Sequence, residues 1–204
     1  KAFKEIFVFY LRRGFRIVNV NADGEFEPLK PMIEALPSAP TVNLAAKSEH
    51  VADIERRIRV VKERARAARS RLPFRRIPEL LTIWIVFQSV RMLNYFPSKG
   101  GVSSTLSPAT IMSGEVLDYN RQLKLQVGQY CQVHEEDQPR NSQLPRTRGA
   151  IALGPTGNVQ GGFRFMALNT GKRIARHSWD ALPMPDTIFY QVNKLGKDQP
   201  EHLV

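Results

Sequence analysis

The chain has 204 residues, 42% of them hydrophobic, and a formal charge of +11; that length admits one domain or two small ones around an ordinary core. So large a cationic surplus favours a phosphate backbone as partner, since each neutralised phosphate releases a condensed counterion. A single cysteine, Cys131, excludes an intrachain disulfide and fits an intracellular compartment.

Residues 2–12 carry apolar side chains in a pattern that suits helix or strand. Lys1 before them and Arg13-Gly14 after them favour a helix ended by Gly14. The β-branched run at 15–20 predicts a buried strand ended by the Asp23-Gly24 turn. Pro28, Pro31, Pro37 and Pro40 bracket a short helix over 30–36, and 41–44 predicts a second short strand.

A long helix is predicted from Glu49 to Pro73. Ile54, Ile58, Val61, Ala65, Ala68 and Leu72 recur at steps of three and four, which makes one apolar stripe. Glu55, Arg59, Lys62, Arg66 and Arg69 form a neighbouring stripe, an acid heading a row of cations. The next helix, 78–95, is apolar nearly all round, so it is expected in the core. Its greasiest run, 80–87, gives way to Gln88, Ser89 and Arg91, short of the roughly 20 apolar residues of a membrane span. No signal peptide is apparent, and no membrane partner is expected.

Residues 96–101 read as a boundary, followed by a linker with a helix start at Ser107-Pro108. After Gly128 the texture changes to strands at 129–134, 149–153 and 162–168, with a polar, mobile loop over 135–148. Turns are predicted at 155–158 and 169–172, the second leading into a returning strand over 173–179. Strands this closely spaced predict a small antiparallel β-barrel. Phe163, Phe165 and Trp179 are expected to fill its interior, while Lys172, Arg173 and Arg176 face DNA. Arg146 and Arg148, in the loop before a strand, are further phosphate contacts. Cys131 and His134 stand at zinc spacing, but a tetrahedral site needs about four ligands, so both are read as ordinary strand residues.

An acid at a strand end and an acid on a cation-lined helix suit metal-dependent phosphodiester chemistry. Two divalent ions roughly 3.5–4 Å apart can activate one oxygen and stabilise another, held by a few carboxylates, and Mg2+ prefers such oxygen ligands. Spacing alone leaves a plainer alternative open: Asp-Gly is a common turn, and Glu suits a helix N-terminus. Glu25, two residues from Asp23, is read as structural.

The order of motifs resembles the integrase segment of copia-type LTR-retrotransposon Gag-Pol polyproteins. The residues that carry the resemblance are Asp23-Gly24-Glu25-Phe26, Ile54-Glu55-Arg56-Arg57, Leu93-Asn94-Tyr95-Phe96-Pro97 and Thr105-Leu106-Ser107-Pro108, then Gly128-Gln129-Tyr130-Cys131, the run Arg146 through Gly154, and Gly161-Gly162-Phe163-Arg164-Phe165. The resemblance implies an α/β, RNase H-like core, truncated here, with long helices, followed by a mainly β, DNA-binding barrel. The expected divisions are a core over 1–97, a linker over 98–123, a barrel over 124–184 and a C-terminal extension over 185–204. It implies that Asp23 and Glu55 are the second and third acidic ligands of Mg2+ or Mn2+, acting in 3′-end processing and strand transfer. Implied partners are element ends, target DNA, other parts of the same polyprotein and further copies of the enzyme. Implied locations are the nucleus and a cytoplasmic virus-like particle.

Three features depart from the family pattern. The step from Asp23 to Glu55, 55 − 23 = 32 residues, is slightly short. The acid-Phe pair follows Asp23 early, and the first acid is expected upstream of Lys1. The isolated chain is therefore expected to be inactive in joining. The alternative is a non-catalytic nucleic-acid-binding module from a decayed or reused element; a ribonucleoprotein structural role, a third reading, predicts no response to divalent ions.

Overall fold

The computed structural model describes residues 2–46, 52–135, 143, 145–158 and 160–198. Its first elements are helix α1 (Ala2–Leu11), strand β1 (Asn19–Asp23), a 3-10 segment (Gly24–Leu29), helix α2 (Lys30–Glu34) and strand β2 (Thr41–Ala45). Helices α3 (Ala52–Ser70), α4 (Glu79–Tyr95), α5 (Pro108–Ser113) and α6 (Tyr119–Gln122) follow. The remainder is β3 (Tyr130–His134), β4 (Thr147–Pro155), β5 (Phe163–Ala167), β6 (Arg173–Arg176), β7 (Trp179–Ala181) and helix α7 (Asp186–Lys197). The chain divides into two units, one of residues 1–60 and 96–115, the other of residues 61–95 and 116–204.

In the first unit α1 ends where the sequence predicts, with Gly14 in the left-handed region (φ +78°). The first strand starts later than the hydrophobic run at 15–20 suggests. Its ladder begins only at Asn19, opposite Thr41, and runs in parallel to Asp23 opposite Ala45. Asp23 is thus the last residue of a strand. The crossover between β1 and β2 is the 3-10 segment and α2, shorter than the predicted 30–36 helix. A small core holds this α/β unit together: Phe7, Ile33 and Val42 are buried, with Ile17, Val20, Leu36 and Leu44 packed around them. Ser107 starts α5 as predicted, its hydroxyl accepting from Thr110 N–H at 3.1 Å.

The second unit is built on alternation. Cys131, Val133, Ala150, Ala152, Phe163 and Phe165 point to one face of the sheet and are buried there with Leu125. Tyr130, Ile151, Leu153, Met166 and Leu168 are buried on the other, with Leu81, Trp84 and Ile85 of α4 and Ile188 and Val192 of α7. A sheet covered on both faces needs apolar residues at odd and even positions alike, which is why β4 reads as a nearly continuous apolar run. Phe163 and Phe165 meet Trp179 at ring-centroid distances of 5.0 and 5.6 Å, filling the concave side as predicted.

The five strands are antiparallel, in the order β6-β5-β4-β3-β7. The predicted closed barrel does not form, because among the described residues no ladder joins edge strands β6 and β7. Those edges are separated by only His177 and Ser178, so the sheet must curl strongly. A side chain crosses the remaining gap: Arg176 Nε donates to the His134 carbonyl at 3.1 Å.

Two helices differ from expectation. α4 buries only the face bearing Leu81, Trp84, Ile85, Ser89 and Tyr95; Ile83, Val86, Phe87 and Val90 on the opposite side are 39–57% exposed. It lies on the sheet as a covering layer, so one face lacks a sheet to meet. The apolar stripe of α3 is half-buried at Val61, Ala65, Ala68 and Leu72, whereas Ile54 and Ile58 are exposed. The predicted helix start at Glu49 lies outside the described residues.

The expected C-terminal extension contains α7, which is part of the core. Asn193 Oδ1 accepts from the Arg76 backbone N–H at 2.8 Å. Gly196 lets the helix approach closely, since a Cβ there would lie 2.7 Å from the Arg76 carbonyl oxygen. No described helix is long and apolar enough to cross a membrane.

These packing differences separate two phenylalanines. Phe165→Ala, in the fully buried concave core, is expected to lower unfolding free energy by about 3–5 kcal/mol. Phe87→Ala, on the open face of α4, should cost less than about 0.5 kcal/mol. Urea unfolding followed by circular dichroism checks both.

Candidate nucleic-acid interface

The Asp23-Gly24 turn forms because a short carboxylate at a strand end can satisfy the next free backbone donor. Asp23 Oδ1 accepts from Gly24 N–H at 2.6 Å and caps the 3-10 segment. Its side chain is exposed, as is that of Glu55 near the start of α3, and both acids belong to the first unit. Glu25 and Glu27 sit in the first turn of the 3-10 segment.

The carboxylate chemistry of Asp23 and Glu55 suits Mg2+ or Mn2+. Among the described residues, however, no three His, Cys, Asp or Glu side chains come together as a metal-holding group. The two acids are at most part of a ligand set, and no chemical step through a metal follows from them alone.

The basic face of α3 forms for a local reason. Arg and Lys are good helix formers, so Ala52–Ser70 tolerates seven cations, Arg56, Arg57, Arg59, Lys62, Arg64, Arg66 and Arg69, against three acids. Arg59, Lys62, Arg66 and Arg69 are all exposed. None of the four lies within salt-bridge distance of a described carboxylate. A rise of about 1.5 Å per residue spreads them over about 15 Å, the length of about four nucleotides of one strand at about 3.4 Å each.

The cations predicted on the sheet separate into two groups. Arg148 and Arg176 converge on one acid, Glu135: Arg148 pairs with its Oε1 and Arg176 with its Oε2, the latter at 3.3 Å. The Glu135 and Arg176 side chains are only 17% and 18% exposed, so this cluster ties the ends of β3 and β6 to the start of β4. Lys172, Arg173 and Arg146 are exposed, with no described carboxylate within salt-bridge distance. They keep their charge available at the surface. Lys124 joins the exposed cations, its Nζ 5.2 Å from the Trp179 ring centroid.

A further pair of cations carries no sequence signal beyond its charge. Arg91 and Arg164 both lie over the Trp84 indole, at 5.9 and 5.4 Å from the ring centroid. Burial holds the Arg91 guanidinium below its ordinary range, and Arg164 pushes the same way. Arg164 donates to the Pro155 carbonyl at 2.8 Å, which fixes it beside the β4 bulge.

Cys131 and His134 are separated by strand geometry. Residues three apart point to opposite faces; Cys131 is wholly buried, whereas His134 Nε2 meets Asp180 Oδ2 at 3.2 Å on the exposed side. They cannot close on one metal ion, in agreement with their reading as ordinary strand residues.

No protein-family model matches this chain, and no curated protein matches it either.

Two outcomes follow from the paired and buried groups. Glu135→Ala leaves two guanidinium groups without their shared acceptor and is expected to lower stability by about 1–2 kcal/mol, measured by thermal unfolding. Burial, with a smaller push from Asp180, raises the Cys131 thiol to about 12. The native state then keeps its proton where the unfolded chain loses it, so stability falls as pH rises from the ordinary thiol range towards 12. Iodoacetamide at pH 8 should label the folded chain far more slowly than the urea-unfolded one, as mass spectrometry would read directly.

Proposed function

We propose that this chain is a nucleic-acid-binding segment of a copia-type retrotransposon integrase and that DNA is its partner. The observation that carries this is the row Arg59, Lys62, Arg66 and Arg69, four exposed cations on one helix with no described carboxylate opposite them. Support for the integrase origin comes from the placement of the acids. Asp23 ends a strand in a parallel pair joined by a crossover, the position where α/β folds gather ligands, and Glu55 heads the cationic helix.

In this reading α3 grips the phosphates of a DNA strand, and Lys172, Arg173 and Arg146 add contacts from the curled sheet. Phosphate contacts position a strand without reading its bases, so binding is insensitive to sequence. Asp23 and Glu55 are two carboxylates of a larger set for Mg2+ or Mn2+, whose role is to bring a divalent ion to the phosphodiester. The RNase H-like identity of the first unit and the barrel ancestry of the curled sheet belong to the same proposal. The complete enzyme would carry out 3′-end processing and strand transfer. The 204-residue chain binds but does not join.

Binding of a labelled duplex across a salt series tests the central point. Replacing Arg59, Lys62, Arg66 and Arg69 by alanine should weaken binding and reduce the slope of log K against log salt by about 3–4. An unchanged slope would refute a phosphate track on α3. Asp23→Asn with Glu55→Gln should leave binding by this chain intact while abolishing joining by a complete enzyme; retained joining would exclude both acids from catalysis.

A further inference from the structure

A groove of about 830 Å3 opens within the second unit, between the C-terminal half of α3, the middle of α4 and the segment before β3. Its volume falls in the range of small-ligand sites, about 300–1,000 Å3. Leu72, Met92 and Val127 give it an apolar floor, and Arg64 and Arg71 stand on one wall. No Asp or Glu lines it.

The side-chain polar groups of this groove are two guanidinium groups, three primary amides and the Ser89 hydroxyl, whose hydrogen goes to the Ile85 carbonyl at 2.8 Å. Three glutamines line it, Gln88, Gln126 and Gln129, and the side-chain oxygen of each accepts one hydrogen bond from within the protein. Gln88 Oε1 accepts from Arg91 at 3.3 Å, Gln126 Oε1 from Arg71 at 2.7 Å, and Gln129 Oε1 from the Gln126 backbone N–H at 3.2 Å. Their amide nitrogens make no hydrogen bond to any described residue. Amide and guanidinium N–H groups around an apolar floor call for a ligand that has anionic oxygens, ring acceptors and a flat apolar body. Gly128, with φ +88°, lets the Leu72 side chain pack directly on the backbone beside the groove: a Cβ there would lie 2.2 Å from Leu72 Cδ2.

We propose that this groove binds an unpaired nucleotide of a DNA strand, its phosphate on Arg64 and Arg71, its base over Leu72 and Met92 with acceptor atoms facing the glutamine amides. A base within a duplex cannot enter it, because its edges and faces are already occupied by pairing and stacking. The proposal rests on DNA being the partner and assigns to this groove the unpaired part of it, apart from the duplex contacts of Arg59, Lys62, Arg66 and Arg69.

The test uses the whole 204-residue chain, with backbone amide resonances recorded during titration by an eight-residue oligothymidylate, by dTMP and by inorganic phosphate. The expected result is a saturable shift at Val127, Gly128 and Gln129 with the oligonucleotide and, more weakly, with dTMP. Arg64→Ala with Arg71→Ala should weaken oligothymidylate binding at least tenfold, and Gln126→Ala with Gln129→Ala, which leaves the charge intact, at least threefold. Thermal unfolding of each variant confirms that it is folded. Either of two results would overturn the proposal: no shift at those amides, or inorganic phosphate matching the oligonucleotide in affinity. Duplex affinity measured in parallel separates the two claims. Loss of groove shifts with duplex binding retained removes only the groove, whereas groove shifts with no duplex binding remove the α3 track.

Discussion

Uncompensated positive charge is the constraint around which this chain is arranged. Thirty lysines and arginines face nineteen acids, and the described acids are not spread evenly among them. Glu135 alone engages two arginines, while no described carboxylate lies within salt-bridge distance of the outer row of α3. Mutual repulsion along such a row costs free energy in isolation, and exposed helix positions screen only part of it. The cost is offset when a polyanion lies along the helix. On the proposed function, a phosphate strand lying along the row would supply the missing negative charge.

The C-terminal half of α3 packs on the core of the second unit through Ala65, Ala68 and Leu72. The sheet of that unit is apolar on both faces, so helices must cover one side while the curl encloses the other. The C-terminal turns of α3, all of α4 and the buried face of α7 join the outer layer, and Phe163, Phe165 and Trp179 fill the inner one. Arg176 belongs to this construction. It closes the sheet edge through His134 and Glu135, so its positive charge is spent on holding strands together. Lys172 and Arg173, four and three residues earlier, remain at the surface. The same residue type within one short segment thus serves packing in one case and the exterior in another.

Much of this architecture is legible in the sequence because its signals are local. The three-four spacing locates α3, Gly14 ends α1, Ser107-Pro108 starts α5, and the turn residues at 155–158 and 169–172 separate the strands. What escapes is set by distant partners. Closure of a sheet depends on whether two edges pair, and no strand pattern encodes that. The engagement of Arg176 depends on Glu135, 41 residues away. The half-exposed state of α4 depends on how many faces the fold can cover, whereas hydropathy counts only how many are apolar. α7 is a different case: Ile188, Val192 and Leu195 stand at helical spacing, a signal present within what composition alone marks as a tail. Of the site, the exposure of Asp23, Glu55 and the α3 cations agrees with the sequence pattern. The groove does not show in it, since its lining comes from α3, α4 and the segment before β3, which only the fold brings together.

Photocross-linking offers the most direct measurement of the central claim. A duplex carrying bromodeoxyuridine would be bound to the intact chain, irradiated and digested, and the attached peptides identified by mass spectrometry. Contact through the exposed face of α3 predicts adducts on peptides spanning Arg59 to Arg69, diminishing as salt is raised. Adducts confined to other segments, or an α3 signal indifferent to salt, would contradict the assignment of that helix as the phosphate track.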